Sequence, residues 1–132
     1  MKRIILDTNF LLIPPKFKVD IFEEFRRICD FNYKLYIYDG SIKELERIIE
    51  SGSGKDKKSA QLALKLIKFK KIGIIESKSG YVDEAILNNL SKDAIIATLD
   101  ANLKRQVLEK GAPAIILRQK KYLQMIERKF YK

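Results

Sequence analysis

Apolar positions along the 132-residue chain follow two alternating rhythms. Short, nearly continuous apolar runs occur at residues 3–6, 35–38, 72–75, 94–99 and 114–117. Runs of that length suit parallel strands buried on both faces. Between them, apolar residues recur every three to four positions, which predicts helices over 17–31, 41–50, 60–69, 81–90 and 102–109, and a basic helix over 120–130. Pro14 and Pro15 read as a break, residues 51–58 as a flexible polar loop, and Lys110-Gly111 as a helix stop. Strands alternate with helices from end to end. The pattern predicts an α/β fold: one domain over 1–132, three layers, with a central parallel five-stranded sheet joined by right-handed crossovers.

That topology sorts the acidic residues, because open parallel sheets bind ligands outside the carboxyl ends of their strands. Asp7 directly follows the first strand and Asp100 the fourth. Glu44 lies in the first turn after the second strand, and Asp83 at the start of the helix after the third. All four are expected at one edge. Asp93 precedes the fourth strand and belongs at the other edge, on the order of 20 Å away at ~3.3 Å per residue. Asp20, Glu23, Glu24, Glu46 and Glu50 read as charge on helix faces.

Each candidate has a structural alternative. Ser41-Ile42-Lys43-Glu44 fits a capping box, Asp83 suits a helix dipole, and Asp100 is a natural N-cap. Asp7 is hardest to explain structurally, since an unpaired carboxylate at the end of a buried strand is costly. Four carboxylates in one place raise one another's pKa unless a cation neutralises them.

Composition narrows the chemistry. With no histidine and one cysteine, Cys29, there is no Ser-His or Cys-His pair, no thiolate zinc cluster and no intrachain disulfide. Oxygen ligands alone favour Mg²⁺ or Mn²⁺. Cys29 sits in a helical apolar pattern and is expected in the core. Lys and Arg exceed Asp and Glu by 27 to 17, a net charge of +10 that favours a polyanionic partner; the alternative is a solubilising lysine-rich surface. Gly54-Lys55 is not a phosphate loop: position 49 is Ile where glycine is required, and Asp56 replaces Ser or Thr. No apolar run is long enough for a membrane span, and the start is no signal peptide, so a cytoplasmic protein is expected.

The segments around the four acids resemble the motifs of the PIN domain family. Ile5-Leu6-Asp7-Thr8-Asn9-Phe10-Leu11, Lys43-Glu44-Leu45-Glu46, Tyr81-Val82-Asp83-Glu84-Ala85-Ile86-Leu87 and Ala97-Thr98-Leu99-Asp100-Ala101-Asn102-Leu103-Lys104 stand in the family's order. The resemblance spans the chain and is closest to the branch acting in small-subunit ribosomal RNA processing. It implies a Rossmann-like fold and metal-dependent endonuclease cleavage of single-stranded RNA, commonly from a dimer. It also implies that Asp7, Glu44, Asp83 and Asp100 are catalytic metal ligands or hold metal-bound waters. Asn9 and Thr98 would orient carboxylates or a phosphate, and Glu84 matches a second acid often found beside the third position. Many relatives carry an aspartate where this chain has Asn102, so in place of a fifth carboxylate ligand the resemblance leaves a supporting neutral amide that would bind water or RNA.

Basic residues downstream are candidate RNA contacts: Lys104, Arg105 and Lys110, then Arg118, Lys120, Lys121, Arg128 and Lys129, with Tyr122, Phe130 and Tyr131 as stacking partners. The alternative is a solvated helix whose rings pack inward. Three functions compete: an endoribonuclease of ribosomal RNA maturation, a non-catalytic RNA-binding module that joins ribosome-assembly proteins, and the ribonuclease toxin of a toxin–antitoxin pair.

Overall fold

The computed structural model describes residues 1–77 and 80–128. Strand β1 (Lys2–Leu6) leads through a short 3-10 helix (Thr8–Leu12) into α1 (Ile13–Phe17) and α2 (Ile21–Ile28). Next come β2 (Tyr33–Tyr38), α3 (Asp39–Ser51), α4 (Gly54–Phe69) and β3 (Gly73–Ile75). The chain continues as α5 (Val82–Asn88), β4 (Ala94–Ala97), α6 (Ala101–Glu109), β5 (Ala114–Arg118) and β6 (Tyr122–Ile126). The strands form one sheet in the order β3-β2-β1-β4-β5-β6. Every pairing is parallel except β5 with β6.

Side chains alternate across the sheet, as strand geometry requires. Ile4 and Leu6 of β1, with Ile95 and Ala97 of β4, face a core shared with α1 to α4. Ile5, Ala94 and Ile96 face the opposite core under α5 and α6. Burial on both faces explains why these strands read as unbroken apolar runs. Phe10 and Phe25 stack at 6.0 Å between ring centroids inside the larger core. Cys29 is buried there too, and burial pushes its thiol up to about 11.

The structure corrects the reading of the tail. Residues 122–126 are a strand, not a helix, and the sheet has six strands, not five. Gln119 and Lys120 both have positive φ, at 52° and 55°, and Lys121 N–H donates to the Arg118 carbonyl at 2.9 Å. Two central residues with positive φ make the tight turn whose twist matches a hairpin. Leu123 then points inward while Tyr122 and Gln124 stay exposed, which is a strand's period of two. Residues 129–130 of the expected helix, with Lys129, Phe130 and Tyr131 as RNA contacts, lie outside the described residues.

β6 is the sheet's edge, and α2 covers it. Leu123 N–H donates to Glu24 Oε1 at 2.8 Å, and Arg27 Nη2 donates to the Leu123 carbonyl at 2.8 Å. Glu24 and Arg27 pair with each other at 3.0 Å. One ion pair thus satisfies both backbone groups that a further strand would need.

Smaller boundaries differ too. Pro14 and Pro15 lie in the first turn of α1, where a missing N–H is tolerated. The expected helix over 17–31 is α2 alone, because Lys18 turns left-handed (φ 56°) and Asp20 caps a new start. The expected loop over 51–58 is cut short, since α4 begins at Gly54.

Candidate active site where β1 and β4 end

The strand order reverses direction between β1 and β4, and their carboxyl ends form the crevice where such sheets bind ligands. Asp7 and Asp100 stand on either side of it. Asp7 N–H continues the ladder by donating to the Ala97 carbonyl at 2.9 Å, which holds the Asp7 backbone against β4.

The Asp7 carboxylate is gripped on both oxygens. Oδ1 accepts Thr8 N–H at 2.9 Å, and Oδ2 accepts the Thr98 hydroxyl at 3.0 Å. Thr98 is 1% exposed, and its Oγ1 accepts Asp100 N–H at 3.0 Å. Because that oxygen already receives a proton from Asp100, its own proton is directed to Asp7. One buried hydroxyl therefore ties the two strand ends together. Burial raises the Asp7 pKa above the ordinary value of 3.8; the bonds from Thr98 and Thr8 oppose the rise, and the charges of Glu44 and Asp100 add to it. Glu44 and Asp100 thus both act on Asp7 electrostatically.

Helix α3, which carries Glu44, is anchored by a pair of buried hydroxyls. Thr8 Oγ1 and Ser41 Oγ lie 2.8 Å apart, and both residues are buried. Helix α3 starts at Asp39, so Ser41 is inside it and uses its hydroxyl on Thr8. The capping box expected for Ser41 and Glu44 does not form. Glu44 lies one turn further along α3, half-buried on the same side as Ser41. The sequence carried only a weak signal for this pair: two small polar residues inside apolar stretches.

Asp100 caps α6 as well as facing Asp7. Its Oδ1 accepts Asn102 N–H at 2.8 Å and Leu103 N–H at 3.2 Å. Asp83 lies in the exposed first turn of α5, with Oδ1 accepting Glu84 N–H at 3.0 Å, and it is not among the charges that shift Asp7. Glu84 beside it and Asn9 on the 3-10 helix are exposed. Asn102 Oδ1 accepts from Arg105 Nη2. Asp93 is at the far edge, where its carbonyl accepts Arg3 N–H at 2.8 Å. Asp39 ties the edge together in a way the sequence did not announce, since its Oδ1 accepts both Gly40 N–H and Ser77 N–H.

Of the basic candidates, Lys104 shares a slot with one of the acids. It lines that slot, of about 150 Å³, with Thr98, Asp100, Ile116 and Leu117. Arg105 and Arg128 flank a neighbouring cleft along α6. Arg118 spends its guanidinium on Gln124 Oε1 at 2.7 Å, bracing the hairpin. Lys120 lies over the Phe17 ring at 5.9 Å, and Lys121 closes the hairpin turn. Among the described residues, no three acidic side chains come close enough as placed to enclose one ion. The donor chemistry nonetheless fits a hard divalent cation. Asp7, Glu44 and Asp100 offer only oxygens, and the charge that lifts the Asp7 pKa is what such a cation would offset.

An open sheet with carboxylates rather than a glycine-rich phosphate loop at its switch point defines a class of acid-bearing α/β domains. The model of the PIN like domain family matches residues 4–120, and the chain belongs to that family. It is 34% identical over 127 residues to Ribonuclease VapC4 of Methanocaldococcus jannaschii, covering 95% of this chain and 97% of that protein. It is 30% identical over 119 residues to Ribonuclease VapC9 of Archaeoglobus fulgidus, covering 89% and 84%. Among solved structures, the PIN domain endonuclease Utp24 superposes with a TM-score of 0.77 at 23% identity, over 93% of this chain and 90% of that one.

Proposed function

We propose that this protein is an endoribonuclease that hydrolyses phosphodiester bonds in single-stranded RNA with the help of Mg²⁺ or Mn²⁺. The observation that carries the reading is the bond from Thr98 to Asp7. It holds a carboxylate at the switch point with its charge facing those of Glu44 and Asp100. Kinship with two ribonucleases across nearly the whole chain supports RNA as the substrate.

Asp7, Glu44 and Asp100 would hold the cation, with Asp83 at the rim. A bound divalent ion supplies an activated water and neutralises charge building on the phosphate. The chain's own residues do the remaining work. Thr98 and the Thr8 amide fix both Asp7 oxygens, so the carboxylate need not reorganise during reaction. The Asp100 cap fixes the third acid against α6. Lys104, in the slot beside Asp100, would meet a phosphate next to the one being cut.

Two physiological targets have support. Ribosomal RNA precursor is favoured by the net charge of +10 and by the fold shared with Utp24. A toxin's target, with an antitoxin as partner protein, is favoured by the stronger kinship to the VapC ribonucleases. The test is incubation of the protein with ribosomal precursor fragments and bulk RNA in Mn²⁺ or Mg²⁺, followed by mapping of the new ends. Cutting that persists in chelator, or in Asp7→Asn, overturns the enzymatic reading. Discrete ends in the precursor favour processing. Growth arrest on expression of the lone protein favours the toxin.

A further inference from the structure

The charge surplus is not spread evenly around the acids. A cleft of about 600 Å³ lies between α1 and the start of α4, lined by Lys16, Lys18, Lys55 and Lys58, with Asp56 as the one acid and Leu62 on its wall. Leu62 is 41% exposed despite its apolar side chain. Among the described residues, the close ion pairs lie on α2 and use none of these lysines.

The fold puts this cleft near the site. α1 follows the 3-10 helix that starts directly after Asp7. α3 leaves from the carboxyl end of β2, and α4 must return to the amino end of β3, so α4 begins on the carboxyl side of the sheet. From Glu44 to Ser51, α3 climbs about 10 Å at ~1.5 Å per residue. The cleft is therefore within a few nucleotides of the acids. The turn after β5, which runs parallel to β4, also lies at the carboxyl edge, and its Lys120 reaches across to Phe17 at the end of α1. The lysines thus form a continuous arc from the β5–β6 turn over α1 to α4.

We propose that this α1–α4 cleft binds the sugar–phosphate backbone of single-stranded RNA beside the bond to be cut. Four flexible point charges recognise phosphates without reading sequence, and Leu62 with Pro15 offers an apolar wall to a sugar or base face. The proposal rests on the ribonuclease reading for its substrate, but it is tested separately.

The experiment measures binding of a labelled single-stranded RNA of about 16 nucleotides in chelator, across about 50 to 200 mM salt. It compares the wild type, a quadruple variant (Lys16→Gln, Lys18→Gln, Lys55→Gln, Lys58→Gln) and a control at the opposite edge (Lys92→Gln with Lys110→Gln), where the fold puts Lys110 beside Ser91 and Ala112 rather than with the RNA contacts expected from the sequence. Each lost phosphate contact lowers the salt slope by about 0.7. The quadruple variant is expected to flatten the slope by about 2 to 3 and weaken binding about tenfold or more, while the control stays near wild type. Circular dichroism checks that each variant is folded. Equal losses in both variants, or none in the quadruple, overturn the proposal. So does loss of binding to a glutamate-rich peptide with RNA binding intact, which would make the cleft a protein-docking site. RNA binding that depends on the cleft in a protein that never cuts would overturn the ribonuclease reading and leave this one standing.

Discussion

The Thr98 hydroxyl donates to Asp7 Oδ2 at 3.0 Å while accepting the Asp100 amide at the same distance. In the proposed mechanism Thr98 would act through the two acids it touches, as a positioning residue. Thr98→Val is expected to lower kcat about tenfold or more, since a hydrogen bond to a charged group is worth about 1.5 to 3 kcal/mol, with KM little changed. Thr98→Ser keeps the hydroxyl and should recover most of the rate. Equal losses in both would show that packing, not the bond, matters.

Asp7 is held at a cost to stability. Its pKa is raised, first by burial, so the folded state binds the proton more tightly than the unfolded chain. Such a group contributes stability that is present below the unfolded value and lost as pH rises through the folded one. In chelator, the wild type should therefore lose stability relative to Asp7→Asn as pH climbs from about 3.8 toward neutrality. Near pH 7, Asp7→Asn is expected to melt about 3 °C higher while losing activity. A lower melting temperature for Asp7→Asn across that whole range would contradict the burial account.

The clamp on β6 makes a prediction about exchange. With Glu24→Gln and Arg27→Met together, the Leu123 amide loses its charged acceptor and β6 loses its tie to α2. Hydrogen exchange at Leu123 should speed up about tenfold or more while amides in β1 and β4 stay protected. Uniform acceleration everywhere would mean that the clamp supports the whole fold.

Cys29 should be inert. Its thiol is buried and pushed up to about 11, mainly by burial and then by Asp30. At pH 8, alkylation should be slower than for an exposed thiol by about a hundredfold or more, because little thiolate is present. Rapid labelling of the native protein would show that the α2–β2 corner opens readily.

Much of this arrangement was legible in the sequence. Double-sided burial wrote β1 and β4 as apolar runs, and their ends located Asp7 and Asp100. The tail was misread because its turn uses Gln119 and Lys120 in left-handed conformation, without the glycine or asparagine that advertises a hairpin. Leu123, Met125 and Ile126 fit either period over so short a stretch. The role of Ser41 was missed because a hydroxyl one turn before a glutamate suggests a cap, whereas its partner, Thr8, is 33 residues away. Contacts of that separation leave no local pattern.

The central claim is that Asp7, Glu44 and Asp100 form one cation site. Calorimetric titration of Mn²⁺ into the wild type and into Asp7→Asn, Glu44→Gln, Asp100→Asn and Asp83→Asn tests it most directly. The account predicts saturable binding in the wild type, loss of about tenfold or more in affinity for each of the first three variants, and a smaller loss for Asp83→Asn. Wild-type protein that takes up no divalent ion, or an affinity that Asp7→Asn leaves unchanged, would contradict it.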